Sequence, residues 1–176
     1  MDKDLSKEDI EKLPFMDSNL DLEKRVEDLL GRLTLEEKIN LCSGTRLFYT
    51  KRIKRLNIPK FKMTDSPHGV GALGTFFIKK TTYFPTAICR TATWNPELSE
   101  QFGAAVAQEV RDVGYNMLLG PGINIDRTTL NGRTFEYQTE DPYLNIKMAV
   151  PVVKGIQSQR IASCVKHYVC NNQELH

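Results

Sequence analysis

The sequence predicts an α/β fold in which parallel strands alternate with helices. Strand-like apolar runs lie at residues 61–65, 116–121 and 162–169, and a helical pattern separates each run from the next. Alternation of this kind requires helical crossovers, which bring parallel strands side by side. So few strands do not close an eight-stranded barrel, which needs about 250 residues. Periodicity alone therefore fits either part of a barrel or a doubly wound open sheet.

The first part of the chain carries two predicted helices. Residues 1–19 are polar and aperiodic, and they are interpreted as a loosely held lead-in. From residue 20 apolar residues recur at a helical spacing up to Gly31, and Thr34 and Glu37 form a capping box that opens a second helix. Residues 20–176 have the length of a single domain.

Two longer helices are predicted further along the chain. Asn95-Pro96 and Asp141-Pro142 each place a capping oxygen before a proline, at a position where no amide is needed. Gly114 is expected to end the first of these helices. Pro151 lies inside the second helix and is expected to kink or divide it, because proline removes one backbone hydrogen bond and crowds the preceding turn.

Composition and charge exclude several classes of protein. Lysine and arginine number 24 against 22 acidic residues, for a net charge of +2, so no nucleic-acid partner is predicted. No apolar run has the length of a membrane span, and the charged N-terminus lacks the apolar core of a signal peptide, so we expect a cytoplasmic protein without a membrane partner. The four cysteines are scattered without a C-x-x-C pair, and no metal site or cofactor is predicted.

The connection from residue 120 to residue 140 is far longer than the usual few residues between a strand and a helix, which is typical of functional loops. Its polar residues include Asn124, Asp126, Arg127, Asn131, Arg133, Glu136 and Glu140. Guanidinium donors and carboxylate acceptors at this spacing suit recognition of hydroxyl groups or of an anion. An internal ion-pair network that holds the loop in shape is an equal alternative.

Two further segments place polar residues after or within strands. Asp65 ends the run at 61–65 and precedes a tight turn that contains His68; an Asx turn or helix cap explains an aspartate there equally well. Lys166 and His167 lie in the last strand, where strict alternation would put them on opposite faces. A buried lysine needs a partner, so Lys166 is expected to face a carboxylate or a ligand, whereas His167 alone is more typical of a satisfied core histidine.

Several of these segments together resemble the glycoside hydrolases of family 3, the β-glucosidase and β-xylosidase group. The similarity runs almost continuously from Leu33 to Glu174. It is carried by MTDSPHGV (63–70), LLGPGINIDRTTLNGRTFEYQTEDPYL (118–144) and GIQSQRIASCVKHYVCNNQE (155–174). Because these motifs occur in the family's order and at compatible spacings, the resemblance is more specific than any one of them.

The resemblance implies a fold and a substrate. The fold would be the N-terminal portion of an incomplete (β/α)8 TIM-like barrel, and the substrate a β-linked glucoside or xyloside. Asp65, Arg133, Lys166 and His167 would bind the sugar hydroxyls before the cleaved bond, with Asp65 gripping two of them. The family's cis peptide bond would lie between Lys166 and His167. Many β-glucosidases have an arginine where this chain has Gly71, which leaves the preferred sugar open.

The resemblance also implies that the catalytic pair is missing from these residues. Retaining glycosidases use two carboxylates about 5 Å apart, a nucleophile and an acid/base. Both are expected beyond residue 176, because no acidic residue here matches those positions. The chain alone is thus predicted to be an inactive fragment, with a complementary C-terminal glycosidase fragment as its partner. The alternatives are a non-catalytic carbohydrate-binding or structural remnant, and an unrelated α/β anion-binding protein.

Overall fold

The computed structural model describes residues 5–65, 67–71 and 80–174, and the chain divides into two units, Met1–Phe61 and Lys62–His176. The first unit contains helices α1 (Lys7–Glu11), α2 (Leu22–Arg32) and α3 (Leu35–Cys42) and the antiparallel strands β1 (Gly44–Thr45) and β2 (Tyr49–Thr50). The second contains β3 (Met63–Asp65), α4 (Ala87–Thr91), α5 (Pro96–Asp112), β4 (Met117–Leu119), α6 (Pro142–Ser158) and β5 (Ala162–Ser163). Across the described ranges, no helix combines the length and the apolar character that crossing a bilayer requires.

The first unit is more ordered at its start than the sequence predicts. Ser6 and Asp9 form a capping box that opens α1, and Ile10 and Phe15 are buried in the unit's core. The segment is too short to show a helical period in the sequence, which is why it reads as a loose lead-in. The capping box at Thr34 is confirmed, and α2 continues one residue past Gly31.

The second unit is built on a parallel sheet in the order β3-β4-β5. Thr64 of β3 pairs with Leu118 of β4, which in turn pairs with Ser163 of β5. Helices α5 and α6 pack against each other, so the two crossovers lie on the same side of the sheet. A doubly wound sheet carries helices on both faces. Each half of such a sheet, however, has its crossovers on one side, so the three strands fit either one half of it or part of a TIM barrel, which is the fold that the family resemblance implies.

Close packing of α5 on α6 depends on two glycines. A Cβ atom on Gly103 would collide with the backbone oxygen of Val152, and one on Gly155 would collide with that of Glu100. Pro151 was predicted to kink or divide α6; the division is wrong, since the helix continues through it, and the kink stays a prediction. An interior proline costs about 3 kcal/mol. Burial of the α6 side chains Met148, Val152 and Ile156, each about 1.5–3 kcal/mol, offsets that cost.

The last strand is shorter than the sequence predicts. Regular pairing ends at Ser163, and beyond it a single parallel bridge joins Lys166 to Gly122. The amide of His167 donates to the side chain of Asn124 at 2.8 Å instead of to a neighbouring strand. Cys164 and Lys166 still donate backbone hydrogen bonds to Leu118 and Pro121, so the first amide in this segment that a side chain satisfies is that of His167.

Candidate binding site

The candidate residues come together at the carboxyl ends of the three parallel strands. Asp65 is the last residue of β3, and Lys166 and His167 follow β5. Arg133 comes from the long connection after β4. Parallel strands end at the same edge of a sheet, so residues about a hundred positions apart become neighbours. The structure thus brings together all four of the predicted binding residues.

Lys166 is at the centre of the cluster. Its Nζ lies 3.0 Å from Oδ1 of Asp65 and 3.2 Å from Oε2 of Glu136, and its side chain is 13% exposed. The sequence-based expectation that this lysine faces a carboxylate is confirmed. Two acceptors offset the cost of taking the ammonium group out of water. They also fix the ammonium beside Asp65, whose side chain is 38% exposed and accessible to a ligand.

Glu136 links the two cations of the site. Its side chain is only 4% exposed; Oε1 accepts a hydrogen bond from Nε of Arg133, and Oε2 faces Lys166. Burial raises the pKa of Glu136, but the Arg133 hydrogen bond and the charge of Lys166 outweigh it and hold that pKa below its usual value. The ion-pair network predicted as the alternative for this loop is therefore present. This network holds Arg133 in place without covering it. The guanidinium group also lies 3.7 Å from Glu174, and the Arg133 side chain is 31% exposed.

His167 is held by a chain of hydrogen bonds. Its Nδ1 lies 2.9 Å from the hydroxyl of Tyr137, which accepts from Nδ2 of Asn171 at 2.8 Å. The same Nδ2 donates to Glu174 at 3.0 Å, and because a carboxylate only accepts, the orientation of the Asn171 amide is fixed. The Tyr137 hydroxyl can donate to Nδ1 or accept from it, because a hydroxyl has one proton and two acceptor lone pairs.

Burial and neighbouring charges set the protonation of these two side chains. Burial, followed by the charges of Arg133 and Lys166, lowers the pKa of His167, so the imidazole is neutral at pH 7. Burial raises the pKa of Tyr137, which keeps its hydroxyl a donor. The peptide bond between Lys166 and His167 is cis, as the resemblance implied, and both side chains lie in the site.

The remaining polar residues of the long connection are outside the cluster or support it. Asn131 donates to the backbone oxygen of Asn171 at 3.4 Å, and Arg127 is exposed. Burial, followed by the charge of Glu140, raises the pKa of Asp126. His68 is buried, with its ring edge-on to the ring of Phe135.

The sequence patterns did not predict the partnership of Tyr137 and Asn171 with His167. Tyr137 and Asn171 could have been considered because they lie in the same two motifs as Arg133 and Lys166. Among the residues that the structure describes, no group of three histidine, cysteine or acidic side chains is arranged to hold a metal ion.

The chemistry of the cluster suits neutral hydroxyl groups. An exposed carboxylate of Asp65 lies beside donors from Lys166, Arg133 and His167, which matches a ring of hydroxyls that both donate and accept. Counting Glu136 and Glu174, the carboxylates outnumber the permanently charged cations in the cluster. An anionic ligand would therefore meet net negative charge, which disfavours phosphate.

Comparison with known proteins gives consistent results. The model of the glycosyl hydrolase family 3 N terminal domain matches residues 27–174. The β-glucosidase BoGH3A of Bacteroides ovatus is 43% identical over 96% of this chain and 24% of its own length. The structure of β-glucosidase 3B from Thermotoga neapolitana in complex with glucose superposes with a TM-score of 0.78 at 40% identity, over 85% of this chain and 24% of that chain.

A second similar structure is that of a β-glucosidase from Kluyveromyces marxianus in complex with glucose. It superposes with a TM-score of 0.80 at 39% identity, over 85% of this chain and 18% of that chain. The chain therefore spans about a quarter or less of the length of these relatives.

Proposed function

The chain belongs to glycosyl hydrolase family 3, and from that premise we propose that it forms the terminal-sugar subsite of a retaining β-glycosidase that acts on β-linked glucosides or xylosides. Membership excludes the alternative of an unrelated anion-binding protein. Support for the substrate class comes from relatives that are β-glucosidases and from similar structures with bound glucose.

The proposed roles follow from the hydrogen-bonding capacity of each residue. Asp65 accepts from two neighbouring hydroxyls through its two carboxylate oxygens. Lys166 and Arg133 donate to hydroxyl oxygens with the protons that their carboxylate partners leave unused, and His167 donates from Nε2. The observation that carries the proposal is the position of Lys166, 3.0 Å from Asp65 and 3.2 Å from Glu136, because it joins all three strand ends into one polar site.

The catalytic carboxylates belong to the part of the protein outside these 176 residues. Glu136 is unsuited to be a general acid, because its pKa is lowered and both of its oxygens face cations. Glu174 is shared between Arg133 and Asn171, and Asp65 is occupied by Lys166. A complementary C-terminal glycosidase fragment, or the same polypeptide continued, supplies the nucleophile and the acid/base.

Glucose binding by this chain alone tests the proposed subsite. Titration calorimetry is expected to show saturable binding of glucose in the millimolar range, which inorganic phosphate does not displace. The substitution Asp65→Asn should abolish binding, whereas Asp112→Asn, an exposed aspartate at the end of α5, should leave it unchanged. Equal binding by both variants, or displacement by phosphate, would refute the assignment.

Hydrolysis of an aryl β-glucoside tests whether the catalytic carboxylates come from outside this chain. The chain alone should show no turnover above background, and turnover should appear when the remainder of a family 3 enzyme is added. Robust turnover by the chain alone would contradict the assignment of the catalytic carboxylates. Glucose binding without any rescue would favour a non-catalytic carbohydrate-binding protein instead.

A further inference from the structure

Arg90 is a buried cation outside the sugar-binding cluster. It lies on α4, and only 6% of the residue is exposed. Its Nη1 donates to the backbone oxygen of Pro85 at 2.9 Å, and its guanidinium carbon lies 3.6 Å from the centre of the Phe102 ring. Its Nε is also buried, and none of the described residues offers it an acceptor. One face and one end of the guanidinium group are therefore satisfied, whereas the Nε proton is not.

The charge of Arg90 has no counter-charge beside it. Within the part of the chain that the structure describes, no carboxylate forms an ion pair with this side chain. Burial lowers the pKa of Arg90 to about 10, so the guanidinium group is still protonated at pH 7. A buried charge is costly unless it is paired, and Arg90 therefore favours an anionic acceptor over a neutral one.

Arg90 lines a small cavity in the layer between the sheet and its crossover helices. The wall includes Leu118 of the central strand β4, Phe102 of α5, and Val152 and Ile156 of α6. The cavity has a volume of about 10 Å³, which is room for a single water molecule or a single halide ion. Because its walls come from the central strand and from both crossover helices, it does not lie at an edge of the sheet.

Two further polar side chains line this cavity. Gln138 is 2% exposed, and its Nε2 donates one proton to a side chain of α6 at 3.2 Å and carries a second proton. Glu136 is also part of the lining, but its two carboxylate oxygens face Arg133 and Lys166 in the sugar-binding cluster. The cavity therefore offers N–H donors from Arg90 and Gln138, while the carboxylate of Glu136 is occupied elsewhere.

From these observations we propose that the cavity beside Arg90 binds one chloride ion, which is the counter-ion of the buried guanidinium group. The Nε proton of Arg90 donates to the ion. A monatomic anion fits a space of this size, whereas phosphate and carboxylate ligands are too large for it. A water molecule would satisfy Nε but would leave the charge uncompensated. The lining also includes Pro67, two residues after Asp65, so the ion lies next to the turn that follows β3.

The dependence of stability on chloride tests the proposed site. Urea unfolding is measured in sodium chloride and, at the same concentration, in sodium methanesulfonate, whose anion is too large for the cavity. A ligand that binds only the folded state stabilises it, so chloride at ten times its dissociation constant should raise the urea midpoint of the unmodified chain by roughly 0.5–1 M. Arg90→Leu should lose this dependence. The matched control is Arg111→Leu, which removes an exposed arginine from the last turn of α5 and should retain it.

Bromide locates the ion, because it scatters X-rays anomalously and water does not. Crystals of the unmodified chain soaked in sodium bromide should show an anomalous peak within hydrogen-bonding distance of Nε of Arg90. That peak, with a chloride dependence that Arg90→Leu loses and Arg111→Leu keeps, supports the proposal. A peak without chloride dependence in solution shows binding at crystal concentration only and overturns it, as does a water molecule at that position or equal chloride dependence in both variants. If Arg90→Leu does not fold by circular dichroism, Arg90→Met replaces it, and if neither folds, the peak and the chloride dependence of the unmodified chain decide.

Discussion

Replacement of Glu136 by glutamine gives the most direct test of how the binding residues are held in place. Glu136 is 4% exposed and forms ion pairs with both Arg133 and Lys166. Breaking a buried ion pair by removing one partner costs about 3–5 kcal/mol, because the remaining charges lose their counter-charge. Glutamine keeps one acceptor oxygen, so we expect the lower end, a loss of about 3 kcal/mol of unfolding free energy at pH 7.

The matched control is Glu174→Gln. Glu174 contacts the same Arg133, but at 3.7 Å and with 46% of its side chain exposed. Exposed ion pairs contribute about 0–1 kcal/mol, so this variant should lose less than about 1 kcal/mol. Urea denaturation followed by circular dichroism measures both free energies. Losses of equal size would refute the claim that Glu136 organises the site.

The pH dependence of the unfolding free energy gives a second test of the role of Glu136. The pKa of Glu136 is lowered in the folded chain, so its contribution is present above the unfolded pKa of about 4.3 and is lost as pH falls through the folded value. Glutamine does not titrate. The stability gap between the unmodified chain and Glu136→Gln should therefore narrow below about pH 4. A gap that stays constant between pH 7 and pH 3 would contradict the electrostatic explanation.

Three other predictions follow from the structure. Gly31→Ala should raise the unfolding free energy by about 0.5–1 kcal/mol, because its Cβ meets nothing within 4 Å, whereas Gly103→Ala should lower it by about 1–3 kcal/mol through collision with the α6 backbone; urea denaturation measures both. Tyr137→Phe removes the hydroxyl 2.9 Å from His167 and should weaken glucose binding by roughly fivefold in calorimetry. The pKa of His167 is lowered on folding, so its contribution to stability is complete above about pH 6.5 and declines as pH falls through the folded pKa; His167→Gln should flatten that decline in pH-dependent unfolding.

The features that the sequence predicted are those with local causes. A capping box such as Thr34 with Glu37, or a capping aspartate before Pro142, satisfies backbone groups within one turn, so the signal and the structure share the same few residues. The alternation of strands and helices is likewise a local pattern. It predicted that β3, β4 and β5 pair in parallel, and they do. The four binding residues needed the family resemblance, because spacing alone left Asp65 and His167 with equally good structural explanations.

The features that the sequence did not predict depend on residues far apart in the chain. Lys166 meets Asp65 across a separation of 101 residues, and Asn171 meets Tyr137 across 34. No sequence period or fixed spacing relates the two members of such a pair, so local patterns do not predict their contact. The amide of His167 likewise donates to the side chain of Asn124, which is 43 residues away. Continuity of α6 through Pro151 was also decided by tertiary packing.

The proposed sugar-binding residues come from neighbouring strand ends of one part of the barrel. Asp65, Arg133 and Lys166 come from the ends of three adjacent strands, and Glu136 forms ion pairs with both cations. The proposed subsite for one sugar ring therefore takes these residues from a single sheet. Catalysis differs, because a nucleophile and an acid/base must face each other across the bond to be cleaved. Catalytic residues of such barrels come from the ends of several different strands, so sugar binding is expected with this part of the barrel and turnover only when the strands that carry the two carboxylates are added.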